Sequence, residues 1–484
     1  MDLRKSNCVS FLSHNLLAML LVIFSFLLFY YFKLDFITEW DSYGYLIDIH
    51  GHFKSSLFLG RFGFISFFML IWELCSKFYK MPILNFYHVI IFVNLIFSSL
   101  TILLVYLITK KITRNKLVGF GSALILIFSK DFIRYAGNTL IEPMMIFMTV
   151  LSFFLFITAI NKKNLFCFYL SAFIFGYAFE VKEAAILSIL FFPAFLLTKS
   201  ESKYFTVKNY LFFILIFLET AFIMPFYWYL KDRNKYIYDI VYYAQHNNRF
   251  IFSYWQEVYN IMKHGFGILL LPLMGLIILL LRKKFTRLLL IITLFIPNII
   301  FSFYGDRVER YFVFGYISLS ILTAYCFYYI VEYFKLIIKS FKSVLSVCFL
   351  ILLILWSSWN FTGFYNSLIN DKVYSKYLEE YGLRLLYIFP ENTVFILGDH
   401  TALMDQYYIR FNGSQKKTIW PGWTWPHEGL RKVIENYLSC NKRIIIDFSG
   451  FIRPSIQAEK QDILKLLPSY KVKILSENII ELYK

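Results

Sequence analysis

Long apolar runs recur along the first three quarters of the chain, separated by short loops rich in Lys and Arg. An α-helix needs about 20 mostly apolar residues to cross a bilayer. The pattern predicts eleven spanning helices, at about 15–33, 83–109, 116–130, 140–160, 165–180, 184–198, 210–230, 265–281, 288–304, 311–334 and 343–359. Several of these runs are short for a lone span, so we expect them to pack against neighbours within a bundle.

The charges of the connecting loops predict the sidedness of the bundle. Cytoplasmic loops carry an excess of Lys and Arg. With eleven spans, five loops share the side of the N-terminus, and each is basic: Lys110, Lys111, Arg114 and Lys116; Lys162 and Lys163; Lys199, Lys203 and Lys208; Arg282, Lys283, Lys284 and Arg287; Lys335, Lys339 and Lys342. The pattern therefore predicts a cytoplasmic N-terminus, a retained first helix and an extracytoplasmic C-terminal part.

One further apolar stretch, 62–78, lies in a long outer loop over about 34–82. If it crossed the membrane, every later basic cluster would move to the outside. We therefore expect an interfacial or partly inserted helix at this position.

The pattern of apolar and polar residues changes near residue 360. Two apolar β-type runs, 393–398 and 443–448, are followed by a possible terminal strand pair at 470–475 and 478–483. Helices are expected at 400–411, 427–439 and 455–467. The pattern predicts a membrane module over 1–359 and a small extracytoplasmic α/β domain over 360–484, with a partly parallel sheet.

Composition supports a polytopic membrane protein, because 59% of the residues are hydrophobic and only 17% are charged. The net charge of +18 would suggest nucleic acid in a soluble protein, but here the basic residues mark topology, so no nucleic-acid partner is expected. The 57 Phe and 37 Tyr are expected on lipid-facing and interfacial surfaces. No strong metal-binding motif is visible, so a metal site is not predicted and a divalent cation is left open.

Carboxylates collect at the predicted outer rim, directly after the first span. Glu39 and Asp41 flank Trp40. Carboxylates are costly in the bilayer core, so a cluster of them at the membrane edge suggests a functional role. A carboxylate there could take a proton from an acceptor hydroxyl, while Lys and Arg of other outer loops neutralise a departing phosphate. Solvated loop acids are the alternative.

The other outer charges also have structural interpretations. Glu180, Lys182 and Glu183 could form a local ion cluster, and Arg307 with Glu309 could be rim charges. Glu142, next to Pro143, suits the positive end of a helix dipole.

Motifs in order along the outer side resemble the membrane-embedded GT-C glycosyltransferases, in the group of protein O-mannosyltransferases and lipid A aminoarabinose transferases. The resemblance covers roughly residues 10–335. Asp41 to Tyr45 is similar to the family's Asp-x-x-x-Tyr, and Tyr135 to Pro143 resembles its second acidic loop. Phe179 to Glu183 resembles its Lys turn, and Arg307 to Tyr311 resembles its Arg-Tyr entry to a late span.

The resemblance implies a GT-C-like bundle that transfers one sugar from a polyprenyl-phosphate carrier, with inversion at the anomeric carbon. Asp41 would be the general base, with Glu39 as second choice, and Glu142 would hold the acceptor or the site. Lys182 and Arg310 would meet the lipid phosphate. The predicted substrate-binding set is completed by Tyr45, Arg61, Arg307 and Tyr311.

The implied partners are a polyprenyl-phosphate-linked sugar donor, membrane lipids, and a lipid, glycan or protein acceptor. Two other functions remain open at this point. A transporter or flippase would place its charges mid-helix, and a lipid-linked glycan polymerase would use diphosphate carriers.

Overall fold

The structure of the protein is a computed structural model. It describes residues 2–38, 40–51, 61–198, 205–234, 236–237, 241, 255–302, 309–337, 345–398, 416–419, 427–448 and 454–483.

Helices dominate the described residues. In chain order they are α1 (Asp2–Phe32), α2 (Trp40–Gly51), α3 (Phe62–Tyr79), α4 (Phe86–Thr113), α5 (Lys116–Ile127), α6 (Lys130–Ala136), α7 (Glu142–Lys162), α8 (Leu165–Val181), α9 (Phe191–Leu197), α10 (Val207–Lys231), α11 (Trp255–Phe266), α12 (Leu270–Leu281), α13 (Phe285–Ser302), α14 (Tyr316–Ile337), α15 (Leu345–Ile388), α16 (His427–Ser439) and α17 (Pro454–Leu466). Short 3₁₀ segments cover Ile83–Asn85, Glu183–Ser188, Glu309–Gly315 and Leu467–Ser469.

The polytopic character expected from hydropathy is confirmed. Within the described residues, seven helical stretches are long and apolar enough to cross a membrane, and an eighth is the α11–α12 pair, bent by 97°. Four shorter apolar stretches lie at Leu16–Phe32, Lys116–Ile127, Leu165–Val181 and Glu183–Leu197. The described part of each predicted span is therefore largely helical, whereas the number of crossings stays a prediction.

Helix α3 covers the apolar stretch that was expected at the interface. It is one of the seven stretches that pass the length and hydropathy test. Length and composition alone do not separate a crossing helix from an interfacial one, so its placement stays a prediction.

Many aromatic side chains pack inside the bundle, which corrects the expectation that they serve lipid-facing surfaces. Phe166 and Phe226 are exposed, as expected. Phe153, Phe156 and Phe175, however, are buried around Phe192, with ring centroids 4.9–5.4 Å from it. Lipid tails give no hydrophobic driving force between helices, so close van der Waals contacts of this kind must hold α7, α8 and α9 together.

Within the described residues, the C-terminal sheet has five strands: β1 (Thr393–Leu397), β2 (Lys417–Ile419), β3 (Arg443–Asp447), β4 (Lys471–Ile474) and β5 (Ile479–Tyr483). Their order is β2-β1-β3-β5-β4. β1 pairs in parallel with β2 and β3, while β5 pairs antiparallel with β3 and β4. The predicted partly parallel sheet is confirmed, although β2 was not foreseen. The helix expected at 400–411 lies outside the described residues.

The sheet forms one core with the helices that follow β2 and β3. Leu430 and Ile434 of α16 and Ile463 of α17 pack with Ile446 of β3 and Leu482 of β5, and all five are at most 4% exposed. Apolar residues at helical spacing on α16 match the apolar face of the sheet.

The chain divides into two compact units. The first is Met1–Lys33, Phe58–Leu70 and Ile90–Asn370; the second is Leu34–Leu57, Ile71–Val89 and Asp371–Lys484. Within the second unit, the end of α15 contacts the sheet, because the buried Tyr381 hydroxyl donates to Asp447. The predicted division at residue 360 falls inside α15, which is continuous from Leu345 to Ile388.

Candidate active site

Four of the predicted site residues lie together in the first unit. The Nζ of Lys182 donates to Oε1 of Glu142 at 2.6 Å, and Nε of Arg310 lies 3.6 Å from the same oxygen. The Nζ of Lys182 also lies 4.6 Å from the ring centroid of Tyr311. We call Glu142, Lys182, Arg310 and Tyr311 the ion cluster.

Helix ends place these side chains. Glu142 is in the first turn of α7, as the Pro143 that follows it in the sequence indicated. Pro143 takes a helix position at which no backbone N–H donor is needed. Lys182 caps α8 in an extended conformation, φ −158° and ψ 125°, so that the chain leaves the helix there and enters the 3₁₀ segment that follows. Arg310 and Tyr311 lie in the 3₁₀ segment before α14.

The ion cluster is buried and brings two cations to one carboxylate. The side chains of Glu142 and Lys182 are 2% and 5% exposed, and that of Arg310 is 12% exposed. Arg61 lies close enough for its charge to act on Lys182. Buried charges require compensation, and two cations around one carboxylate make a donor set suited to an anion.

A narrow cavity adjoins the ion cluster. Its volume is about 10 Å³, and Met145, Pro297, Phe301 and Phe314 provide its apolar walls. A cavity of that size holds about one water molecule. Polar groups thus converge on a small, mostly apolar space, in which electrostatic interactions are stronger than in water.

Asn94 of α4 fixes the loop before Glu142, and sequence reasoning missed it. Its side-chain amide donates to the carbonyl oxygens of Asn138 and Leu140, both at 2.8 Å. Asn138 in turn accepts from the backbone N–H of Thr139 at 2.6 Å. The signal was available, because an amide inside an apolar span is unusual and usually has a role.

The local ion pairs considered as alternatives differ from those observed. Lys182 forms its salt bridge with Glu142 of α7, while Glu180 accepts from the backbone N–H of Met224 at 3.4 Å and Glu183 is exposed. Glu309 pairs with Arg134 at 2.7 Å, with the two side chains 45% and 26% exposed. That pair has the rim character predicted for Glu309.

The first-loop residues belong to the second unit. Asp41 is half-buried in the first turn of α2, and Tyr45 is fully buried in the same helix. Tyr43 donates from its hydroxyl to the carbonyl oxygen of Ile37 at 3.1 Å, which helps to fix the start of α2. Glu39 and Arg307 lie outside the described residues.

Asp131 of α6 is buried beside a tyrosine hydroxyl. Its Oδ2 accepts from the hydroxyl of Tyr316 at 2.8 Å, and burial raises the pKa of Asp131 to about 6. A carboxyl group whose pKa is higher in the folded state binds more protons when folded, so its contribution to stability is present at low pH and is lost as the pH rises through about 6.

We therefore expect Asp131→Asn to change the pH dependence of unfolding. Wild type should lose stability relative to this variant between about pH 4 and 6, because the Asn cannot ionise. Thermal unfolding of both proteins in detergent across this pH range measures the difference. Parallel pH profiles would contradict the assignment of a raised pKa.

No group of three or more His, Cys, Asp or Glu side chains that could hold a metal occurs among the described residues. The ion cluster contains one carboxylate and two cations, which is a donor set suited to an anion.

Comparison with known proteins gives a family-model match over part of the chain and a fold. The profile of the dolichyl-phosphate-mannose-protein mannosyltransferase family matches residues 43–237. ArnT from Cupriavidus metallidurans bound to undecaprenyl phosphate has a similar structure, with a TM-score of 0.64, 9% sequence identity, and coverage of 96% of this chain and 97% of that chain. Apo ArnT gives a TM-score of 0.59 at 10% identity, with coverage of 99% and 98%.

A second structure supports the same fold. The Archaeoglobus fulgidus oligosaccharyltransferase AglB, in complex with an inhibitory peptide and a dolichol-phosphate, has a TM-score of 0.53 at 12% identity, with coverage of 89% of this chain and 69% of that chain. A search of curated proteins gives no match.

The profile match includes α2 from Tyr43 onward and the ion-cluster residues Glu142 and Lys182, whereas Asp41 precedes it. The structural matches extend over nearly the whole chain. The resemblance stated from the motifs is confirmed. The chain is a membrane glycosyltransferase with the GT-C fold, similar to the protein mannosyltransferases and to ArnT.

Proposed function

We propose that this protein transfers a single sugar from a polyprenyl-phosphate carrier to an acceptor hydroxyl on the extracytoplasmic face, with inversion at the anomeric carbon. The observation that carries the proposal is the buried Glu142–Lys182–Arg310 cluster, in which two cations meet one carboxylate. Two similar structures, ArnT bound to undecaprenyl phosphate and AglB in complex with a dolichol-phosphate, support a carrier of this class.

Arg310 is the cation best placed to bind the phosphate. Its Nε lies 3.6 Å from Glu142, and its side chain is more exposed than that of Lys182. A guanidinium has five N–H donors, so it can bind a phosphate and keep its contact with Glu142. Lys182 adds a second positive charge to the site, and its 2.6 Å hydrogen bond to Glu142 holds it in place.

The charge requirement grows during the reaction. The donor is a phosphodiester with one negative charge. When the bond between the anomeric carbon and the phosphate oxygen breaks, the leaving lipid phosphate keeps the electron pair and gains a second charge. Preorganised cations that meet this developing charge stabilise the transition state more than the ground state.

Asp41 is proposed as the general base that accepts the proton of the attacking acceptor hydroxyl, with Glu39 as the second choice. The proposal rests on the resemblance of Asp41 to Tyr45 to the family motif and on the position of Asp41 at a helix start, half-buried. The new bond joins the acceptor oxygen to the anomeric carbon, on the face opposite the departing phosphate.

Glu142 is proposed to hold the site. Its Oε1 pairs with Lys182, and its buried Oε2 accepts no hydrogen bond within the described part of the chain. A buried acceptor of this kind is costly unless something satisfies it. A sugar or acceptor hydroxyl is a suitable donor.

Replacement of Arg310 by Gln should raise the KM for the lipid-phosphate donor by about 10–100-fold. One charge-assisted hydrogen bond contributes roughly 1.5–3 kcal/mol, and about 1.4 kcal/mol corresponds to a factor of ten. Steady-state kinetics with the donor varied at saturating acceptor measures this change.

Arg134→Gln is the matched control. It removes one guanidinium from a half-exposed salt bridge, where about 0–1 kcal/mol is expected. The proposed phosphate site would be refuted if Arg310→Gln and Arg134→Gln shifted the donor KM equally.

A further inference from the structure

A second polar cavity lies at the other ends of the helices that form the candidate active site. Helix α7 carries Glu142 at its start, and its residue Asn161 lines this second cavity near its end. Nineteen residues separate the two, which is about 29 Å along a helix and close to the ~30 Å hydrocarbon core of a bilayer. Helix α13 shows the same arrangement, with Arg287 at one cavity and Phe301 at the other.

The second cavity has a volume of about 300 Å³, at the lower end of the range typical of small-molecule sites. Ends of four helices line it: α4, α7, α9 and α13. Its charged and polar lining residues are Lys111, Arg114, Asn161, Thr198, Thr286 and Arg287. We call it the basic cavity.

Its electrostatics favour an anion. Three cations face the basic cavity, and none of the described residues that line it is acidic. Lys111 is oriented by a 2.8 Å hydrogen bond to the hydroxyl of Thr158, and the guanidinium of Arg287 lies 3.4 Å from the hydroxyl of Tyr325. These contacts with neutral hydroxyls orient the two cations without neutralising them.

Separate loops of the chain contribute these groups. The basic loop after α4 and the basic loop before α13 were predicted to share the cytoplasmic side, and the structure brings both to one cavity. Basic loops scattered over a membrane face would explain topology alone. Convergence of three cations and three polar side chains on one space of this size is the arrangement of a binding site.

We propose that the basic cavity binds a phosphate-bearing anion, at the face opposite the candidate active site. Phosphodiester headgroups of anionic lipids and inorganic phosphate share this chemistry. Arg114 and Arg287 supply planar donor arrays suited to phosphate oxygens. Lys111 contributes a third charge, and Asn161, Thr198 and Thr286 can bind the polar remainder of a headgroup. The proposal is independent of the sugar donor.

Lipid retention tests the proposal. The full-length protein is delipidated in detergent, mixed with phosphatidylglycerol or with phosphatidylcholine, and examined by native mass spectrometry. In a parallel arm, thermal unfolding is followed with inorganic phosphate, against chloride at equal ionic strength. We expect selective binding of phosphatidylglycerol, stabilisation by phosphate, or both, and the arm that responds identifies the source of the anion.

Two double variants separate the basic cavity from general surface charge. Lys111→Gln/Arg287→Gln removes two lining cations. It should lower the affinity for whichever anion responds by about ten-fold or more. Lys283→Gln/Lys284→Gln removes two exposed lysines from the turn beside Arg287 and should leave binding within two-fold. Equal loss in both doubles, or full retention in the cavity double, would overturn the proposal, as would no response in either arm.

A competition experiment with wild type covers the case in which the cavity double fails to fold. Inorganic phosphate should displace phosphatidylglycerol from the wild-type protein at concentrations at which chloride of equal ionic strength does not. Identical displacement by the two salts would also overturn the proposal.

Discussion

Asp41→Asn is expected to lower the turnover number by about 10²–10⁴-fold, the usual contribution of a general base. The amide has nearly the same shape as the carboxylate but cannot accept a proton at neutral pH. Folding should be little affected, since Asp41 is half-buried at a helix start, where Asn is also well tolerated. Single-turnover transfer from a saturating donor measures the chemical step directly.

The matched control for Asp41→Asn is Glu73→Gln, which neutralises an exposed acid of α3. Its activity should remain close to that of wild type. If Asp41→Asn were fully active, Asp41 would not be the base, and Glu39 would be the next residue to replace.

Lys182→Met is expected to destabilise the folded protein by about 3–5 kcal/mol, because it leaves the buried Glu142 carboxylate without its main partner. Arg310 remains 3.6 Å from that carboxylate, so we expect the lower end of this range. Thermal or denaturant unfolding in detergent measures the loss. Arg134→Met, in the half-exposed pair with Glu309, should cost about 1 kcal/mol or less.

The double variant Lys182→Met/Glu142→Gln separates stability from function. Removal of both charges should recover part of the lost stability, because the buried carboxylate is neutralised, whereas Arg310 loses its own contact with that carboxylate. Donor binding should stay weak, because the phosphate has lost a cation. If the double variant regained normal donor kinetics as well, the pair would have a purely structural role.

Sequence patterns predicted the elements of this fold more reliably than their contacts. The helices expected at 427–439 and 455–467 are His427–Ser439 and Pro454–Leu466, and the terminal strand pair is Lys471–Ile474 with Ile479–Tyr483. Periodicity is a local property, so it can be read from neighbouring residues. Strand β2 was missed because it has only three residues and too little pattern to detect.

Contacts between residues far apart in the sequence were harder to predict. Lys182 and Glu142 were each assigned to the site through their motifs, but the hydrogen bond between them, across 40 residues, was not foreseen. Asn94 was passed over because it sits inside a predicted span. Phe192 was assigned with the other aromatics to lipid-facing surfaces, since hydropathy does not distinguish a side chain that faces lipid from one that packs on a neighbouring helix.

The most direct test of the proposed function offers the purified protein a panel of polyprenyl-phosphate monosaccharides and measures release of the sugar-free lipid phosphate. We expect at least one member of the panel to be consumed, with one lipid phosphate released for each sugar transferred and with the release lost in Asp41→Asn. Consumption of diphosphate-linked glycans alone, with every monophosphate donor left intact, would contradict the proposed function.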